Sequence, residues 1–193
     1  MEQISTAQEI TLRDGWYKVP FEGDLWKRIG SVAIEMGNKI IIGGGCEFDG
    51  FCMANIKEYP FLEFTNNNNE ENLLTELETP FEFSPTEDDL FNRRDAVAFA
   101  IGDSIYFGTG QTDEILNNFY SFDINNQNNF ATPLTPPEEF SARTEAVGFA
   151  INKKGYVGLG KQSSFQLYDD FWQFDPLATS PDKKWVKMSV TID

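Results

Sequence analysis

"AVAFAIGDSIYFGTG", residues 96 to 110, returns fifty residues later as "AVGFAINKKGYVGLG", residues 146 to 160. In register, Arg93 stands over Arg143, Asp95 over Glu145, Phe99 over Phe149, Tyr106 over Tyr156, and Gly108/Gly110 over Gly158/Gly160. A looser copy lies upstream in "RIGSVAIEMGNKIIIGGG". There Arg28, Gly37, Ile41, Gly43 and Gly45 match Arg93, Gly102, Tyr106, Gly108 and Gly110 at a constant offset of 65.

Each copy reads as an apolar stretch, two turn residues and a second apolar stretch, with Gly-Asn, Gly-Asp or Asn-Lys at the turn. That is the pattern of a tight β-hairpin with a positive φ at the turn. The near-continuous apolarity predicts strands buried on both faces. Downstream, "NNFYSFD" (117–123) matches "DDFWQFD" (169–175) as a third strand, with "ANIKEYP" (54–60) as a degenerate first copy. "NLLTEL" (72–77), "NNFATPL" (128–134) and "KWVKMSV" (184–190) read as fourth strands, and the Asn-rich segments 64–71 and 125–129 as solvated turns.

Four short antiparallel strands repeated at 50 to 65 residues are the signature of a β-propeller blade. The expected architecture is all-β, with blades over 20–77, 78–134 and 137–190. Residues 7–19, "AQEITLRDGWYKV", read as the outer strands of a preceding blade. The repeated glycines are assigned to strand ends and close blade packing rather than to a ligand.

The chain has 193 residues, 15 basic and 31 acidic side chains, and a net charge of −16. Such a surface repels a phosphate backbone, which speaks against nucleic acid as a partner. No apolar run is long enough for a membrane-spanning helix, and charges at Glu2, Glu9, Arg13 and Asp14 are unlike a signal peptide. Cys46 and Cys52 bracket the loop "CEFDGFC"; a disulfide there would contribute about 2.4 kcal/mol in the chain-entropy model and imply an oxidising compartment. Zinc is the poorer alternative, with two thiolates and no histidine.

The run of Arg, Ala-Val-x-Phe-x-Ile, turn, Tyr-x-Gly-x-Gly, then Asn/Asp-Phe-aromatic-x-Phe-Asp and a late Trp resembles the Kelch repeat. In particular it is similar to the Kelch, galactose-oxidase-like propellers common in secreted proteins of Bacteroidota. The resemblance covers about residues 16 to 190. It implies four-stranded blades around a central channel, with 96–101 and 146–151 on the channel wall and ligands or partners at one rim. Arg28, Arg93 and Arg143 would then start the innermost strands at equal heights, beside Gly30, Asp95 and Glu145. Two roles are open to them: a pairing with carboxylates that ties blades together, or a basic ring that holds an anionic ligand.

Three copies do not close a ring by themselves. A longer parent chain or a completing protein partner is favoured here over a pairing of two chains.

The absence of histidine removes Ser-His-Asp and Cys-His nucleophile systems and the two-histidine copper centre of the galactose oxidases. Adjacent carboxylates such as Asp169/Asp170 point to opposite faces of a strand and do not form a glycosidase pair. They are read as bonding local backbone. Clustered carboxylates and Asn carbonyls leave calcium as a conceivable ligand; no other cofactor is expected.

The expected function is a non-catalytic, exported binding or assembly module that contacts a partner protein or a surface glycan. Phe48 and Phe51, held by the Cys46–Cys52 loop, are its candidate apolar anchors. The alternative is a carbohydrate-active enzyme resembling Kelch-type sialic acid mutarotases, with Arg28, Arg93 or Arg143 fixing an acidic sugar. That alternative expects Arg143→Ala to lose turnover while staying folded.

Overall fold

The computed structural model describes residues 28–37, 39–46, 61–65, 73–76, 92–123 and 131–189. The strands foreseen in 7–19 and 54–60, most of the Asn-rich turns, and Phe48, Phe51 and Cys52 lie outside the described residues.

Each repeat folds as a meander of four antiparallel strands. The first contains β1 (Ile29–Met36), β2 (Lys39–Cys46), β3 (Phe61–Thr65) and β4 (Leu73–Glu76), hydrogen-bonded in that order. The second contains β5 (Val97–Ile101), β6 (Ser104–Gly108), β7 (Phe119–Asp123) and β8 (Thr132–Leu134), again in sequence order. The third contains β9 (Val147–Ile151), β10 (Lys154–Gly158), a short hairpin β11 (Lys161–Ser163) and β12 (Gln166–Leu167), then β13 (Phe171–Phe174) and β14 (Trp185–Lys187). Its main sheet runs β9, β10, β13, β14, and one four-residue helical turn, α1 (Pro181–Lys184), leads into β14. The described elements are therefore all-β in character, as a partial propeller.

The hairpin turns take the positive φ that the sequence called for, at Gly37 (64°), Gly102 (62°), Asn152 (51°) and Lys153 (62°). One strand is displaced from its expected place. The third strand of the first repeat is Phe61–Thr65, paired Ile42↔Leu62 and Gly43↔Phe61, rather than residues 54–60. Phe64 and Thr65, expected in a turn, thus belong to the sheet, where Phe64 pairs with Ile40. The "FLEFT" run has the aromatic and β-branched content of a strand, whereas 54–60 ends on a proline with no ladder N–H.

Neighbouring sheets meet through their innermost strands, β1 against β5 and β5 against β9. Alternation along these strands sets the packing. Ala96, just before β5, and Ala98 and Ala100 within it turn a small face to the first repeat and pack on a core containing Ile34, Ile41, Ile105, Phe107 and Phe122. Val97 and Phe99 turn a large face to the third repeat, each 3% exposed. The large face is received by glycines: a Cβ on Gly148 would strike Val97, and one on Gly155 would clash with the edge of the Phe99 ring. β7 joins both cores, with Phe122 in one and Phe119 in the other.

The expectation that both faces of every inner strand are buried fails at the first repeat, where Ser31, Ala33 and Glu35 of β1 are exposed, and at the third. Val147, Phe149 and Ile151 of β9 are 43%, 46% and 53% exposed. They are the counterparts of Val97, Phe99 and Ile101, and no following sheet covers them among the described residues.

Because a side chain at 155 would have to displace the Phe99 ring, Gly155→Val is expected to lower the unfolding free energy by about 1–3 kcal/mol. A urea denaturation curve reads this as a lower midpoint at unchanged slope.

Candidate functional site

The repeated arginines start the innermost strands, and in each repeat the side chain reaches the residue between the two glycines sixteen positions later. Arg28 Nη1 donates to Gly44 O (3.0 Å), Arg93 Nη1 to Thr109 O (2.9 Å) and Arg143 Nη1 to Leu159 O (3.2 Å). These acceptor residues are left-handed, with φ of 63°, 58° and 57°.

A second acceptor comes from the chain just before the third strand. Arg93 Nη1 also donates to Asn118 Oδ1 (2.6 Å), and Arg143 donates through Nη1 and Nη2 to Asp170 Oδ1 (2.6 Å) and Oδ2 (3.0 Å). The same residues close the knot through backbone, Thr109 N–H to Asn118 O and Leu159 N–H to Asp170 O, both 3.0 Å. Trp172 Nε1 donates to Asp170 Oδ2 at 2.8 Å. The Arg143 guanidinium lies between the Phe140 and Tyr168 rings, 4.5 Å from each centroid.

Arg93 and Arg143 are 1% and 0% exposed. Burial pulls the Arg93 guanidinium down to about 10 and also lowers Arg28, so Arg93 remains cationic at neutral pH. These side chains do not form a solvent-facing basic ring, because their donors are turned inward to carbonyls and to Asn118 or Asp170. The acidic partner is also not the one foreseen: Glu145 pairs with Lys161 (2.5 Å) and Asp95 with Arg94 (3.2 Å). Asp170, expected to bond local backbone through its side chain, instead receives Arg143, as Asn118 receives Arg93.

The end from which the innermost strands start is built two residues further on. Gly30, Asp95 and Glu145 are left-handed (φ 67°, 55° and 55°) and are joined around the axis, Asp95 N–H to Gly30 O (2.8 Å) and Glu145 N–H to Asp95 O (3.1 Å). A parallel set of rungs runs from Gly45 N–H to Arg93 O and from Gly110 N–H to Arg143 O, both 2.8 Å. Arg94 and Gln111 exchange backbone hydrogen bonds across this end, as do Thr144 and Lys161. The solvent-facing polar groups here are Arg94, Asp95, Gln111, Glu145 and Lys161, and Arg94 Nη2 donates to Gln111 Oε1 at 3.3 Å. The repeat alignment pointed to Asp95 and Glu145, but Arg94, Gln111 and Lys161 differ from their counterparts and left no repeated signal.

Cys46 ends β2 and is 1% exposed, while its expected partner Cys52 and the anchors Phe48 and Phe51 lie outside the described residues. Among the described residues no three acidic or thiol side chains gather as a metal site, and no helix is long and apolar enough to cross a membrane.

Two expectations follow from the knots. Arg143→Ala, which leaves Asp170 and the Leu159 carbonyl without their cation, is expected to cost about 3–5 kcal/mol of unfolding free energy; a retained wild-type urea midpoint would contradict the structural role. For Asp170, burial alone would raise the carboxyl, but hydrogen bonds from Arg143 and Trp172, with the charges of Arg143 and Lys187, hold it below the usual carboxylate range. Its stabilising contribution is therefore complete above the unfolded value of about 3.9 and is lost as pH falls through the lower folded value. Asp170→Asn should fold, since Asn118 fills this position in the second repeat. The stability gap between wild type and variant should narrow as the pH drops below about 4.

No family model matches the chain, and no curated protein matches it. Among solved structures, that of YjhT superposes with a TM-score of 0.63 at 12% identity, over 90% of this chain and 49% of that one. The chain spans about half the length of that structure. The likeness is one of fold, and with the three four-stranded sheets it makes this chain a partial β-propeller.

Proposed function

We propose that the chain is a binding module, a Kelch-type propeller segment that holds a surface glycan or a protein partner at the mouth where its innermost strands begin. One observation carries this reading. With Arg93 and Arg143 turned inward, the groups left among the described residues at this end to meet a ligand are Arg94, Asp95, Gln111, Glu145 and Lys161, all partly or well exposed. Planar carboxylate, guanidinium and amide groups held side by side suit a hydroxyl-rich ligand, donating and accepting at adjacent positions. Export to an oxidising compartment belongs to the same proposal and rests on a Cys46–Cys52 bridge, which would make Phe48 and Phe51 rigid anchors at the rim.

A second reading, turnover of an acidic sugar, follows the resemblance of the repeats to Kelch-type sialic acid mutarotases. Carboxylates such as Asp95 and Glu145 could take the anomeric hydroxyl proton and return a proton to the ring oxygen as a pyranose opens and recloses.

One NMR experiment separates the two. With N-acetylneuraminic acid and galactose as probes, saturation transfer from protein to sugar is expected. It should weaken in the doubly substituted Asp95→Asn, Glu145→Gln protein, at an unchanged rate of anomer exchange. Faster anomer exchange that the double substitution abolishes would establish the second reading. Absence of transfer to either probe would remove the mouth as a glycan site.

A further inference from the structure

The blade-to-blade interface is made twice within the chain, and both halves of a third such interface stand open. We propose that the uncovered face of β9 is the docking surface for the first blade of a second copy of this chain, so that two copies close one ring head to tail. This proposal is independent of what binds at the mouth.

The two completed interfaces share one construction. A large face (Val32, Ile34, Met36, or Val97, Phe99, Ile101) packs against a small one (Ala96, Ala98, Ala100, or Ala146 and Gly148). Two backbone rungs accompany it. The second glycine of one blade donates to the arginine carbonyl of the next, and the left-handed residue of the next blade donates back to its counterpart in the first.

At the open end of the third blade the same parts recur. The large face is Val147, Phe149 and Ile151. Gly160, φ 84°, stands where Gly45 and Gly110 donate, and Glu145 stands where Gly30 and Asp95 accept.

The first blade presents the complementary surface. Ser31, Ala33 and Glu35 of β1, the register counterparts of Ala96, Ala98 and Ala100, are exposed and mostly small. Arg28 and Gly30 of a second copy would supply the carbonyl and the N–H that Arg93 and Asp95 supply in the second blade. One surface is thus the socket for the other, and both lie on this chain.

A two-fold axis makes this contact twice and leaves no blade edge unpaired, which an isologous pairing of two third blades would not do. The chain spans 49% of the YjhT chain, a length that two copies would make up.

Light scattering coupled to size exclusion tests the proposal on the 193-residue chain at micromolar concentration. The expected mass is twice 21.9 kDa. Phe149→Asp on the large face and, separately, Ala33→Arg on the small face should each return the particle to 21.9 kDa with an unchanged far-ultraviolet dichroism spectrum. Both side chains are exposed in the single chain, so neither change threatens its core. A wild-type mass of one copy would overturn the proposal, as would a mass above two copies. A dimer that survives either substitution would also overturn it, by showing that another face is used.

Discussion

A buried guanidinium ties the start of an innermost strand to the turn by which the second strand leaves, and the rest of each blade is placed relative to that tie. A cation taken out of water is tolerated only where acceptors surround it, so its neighbourhood must be built to supply them. The left-handed residue between the glycines does this by turning its carbonyl toward the arginine. In Thr109 and Leu159 that conformation carries a backbone strain of about 1–3 kcal/mol, offset by charge-assisted hydrogen bonds. Arg143 has the more complete set, with a bidentate carboxylate and two aromatic faces; Arg93 manages with a neutral amide and one ring, Phe107. The same design thus tolerates a change of partner charge when the geometry of the acceptor is kept.

From this tie outward, packing acquires a direction. The inner strand β5 has a large face toward the third blade and a small face toward the first, because alternate side chains leave a strand on opposite sides. Glycines at 148 and 155 deepen the facing surface of the third blade so that the aromatic and branched residues of the second blade sink into it. The third blade adds an aromatic cluster of Phe140, Trp172, Phe174 and Trp185, in contact with Phe119 of the second. The two blades therefore share one apolar core rather than stacking as separate layers.

Much of this frame was legible in the chain. The repeated Gly-x-Gly, the two-residue turns and the "NNFYSFD" and "DDFWQFD" phrases located the inner hairpins and third strands of the second and third blades, because local periodicity and turn chemistry govern those elements. The first blade was harder to read, since "FLEFT" keeps only the Phe-x-x-Phe of "FYSF" and "FWQF" and lies further from its Gly-x-Gly than they do, so that its pairing with β2 is what identifies it as a third strand. The arginines were visible as a repeat, but their partners were not. Asn118 and Asp170 lie 25 and 27 residues downstream, and only the fold brings them to the guanidinium. Nor could apolar pattern alone distinguish Phe99 from Phe149, since burial depends on whether a further blade is in place.

The spacing of these contacts divides the blade into two zones with different freedom to change length. From arginine to the left-handed carbonyl the distance along the chain is 16 residues in all three blades, whereas from arginine to the Asn or Asp it grows from 25 to 27. The third blade fits the hairpin β11–β12 into that longer stretch without disturbing its knot, and Phe165 at the tip is 99% exposed. The hub behaves as a fixed-length bearing, and the periphery as a set of sockets into which segments can be inserted or deleted. New surface can therefore arise by lengthening the outer loops alone, while the turn of the inner hairpin keeps every blade in step.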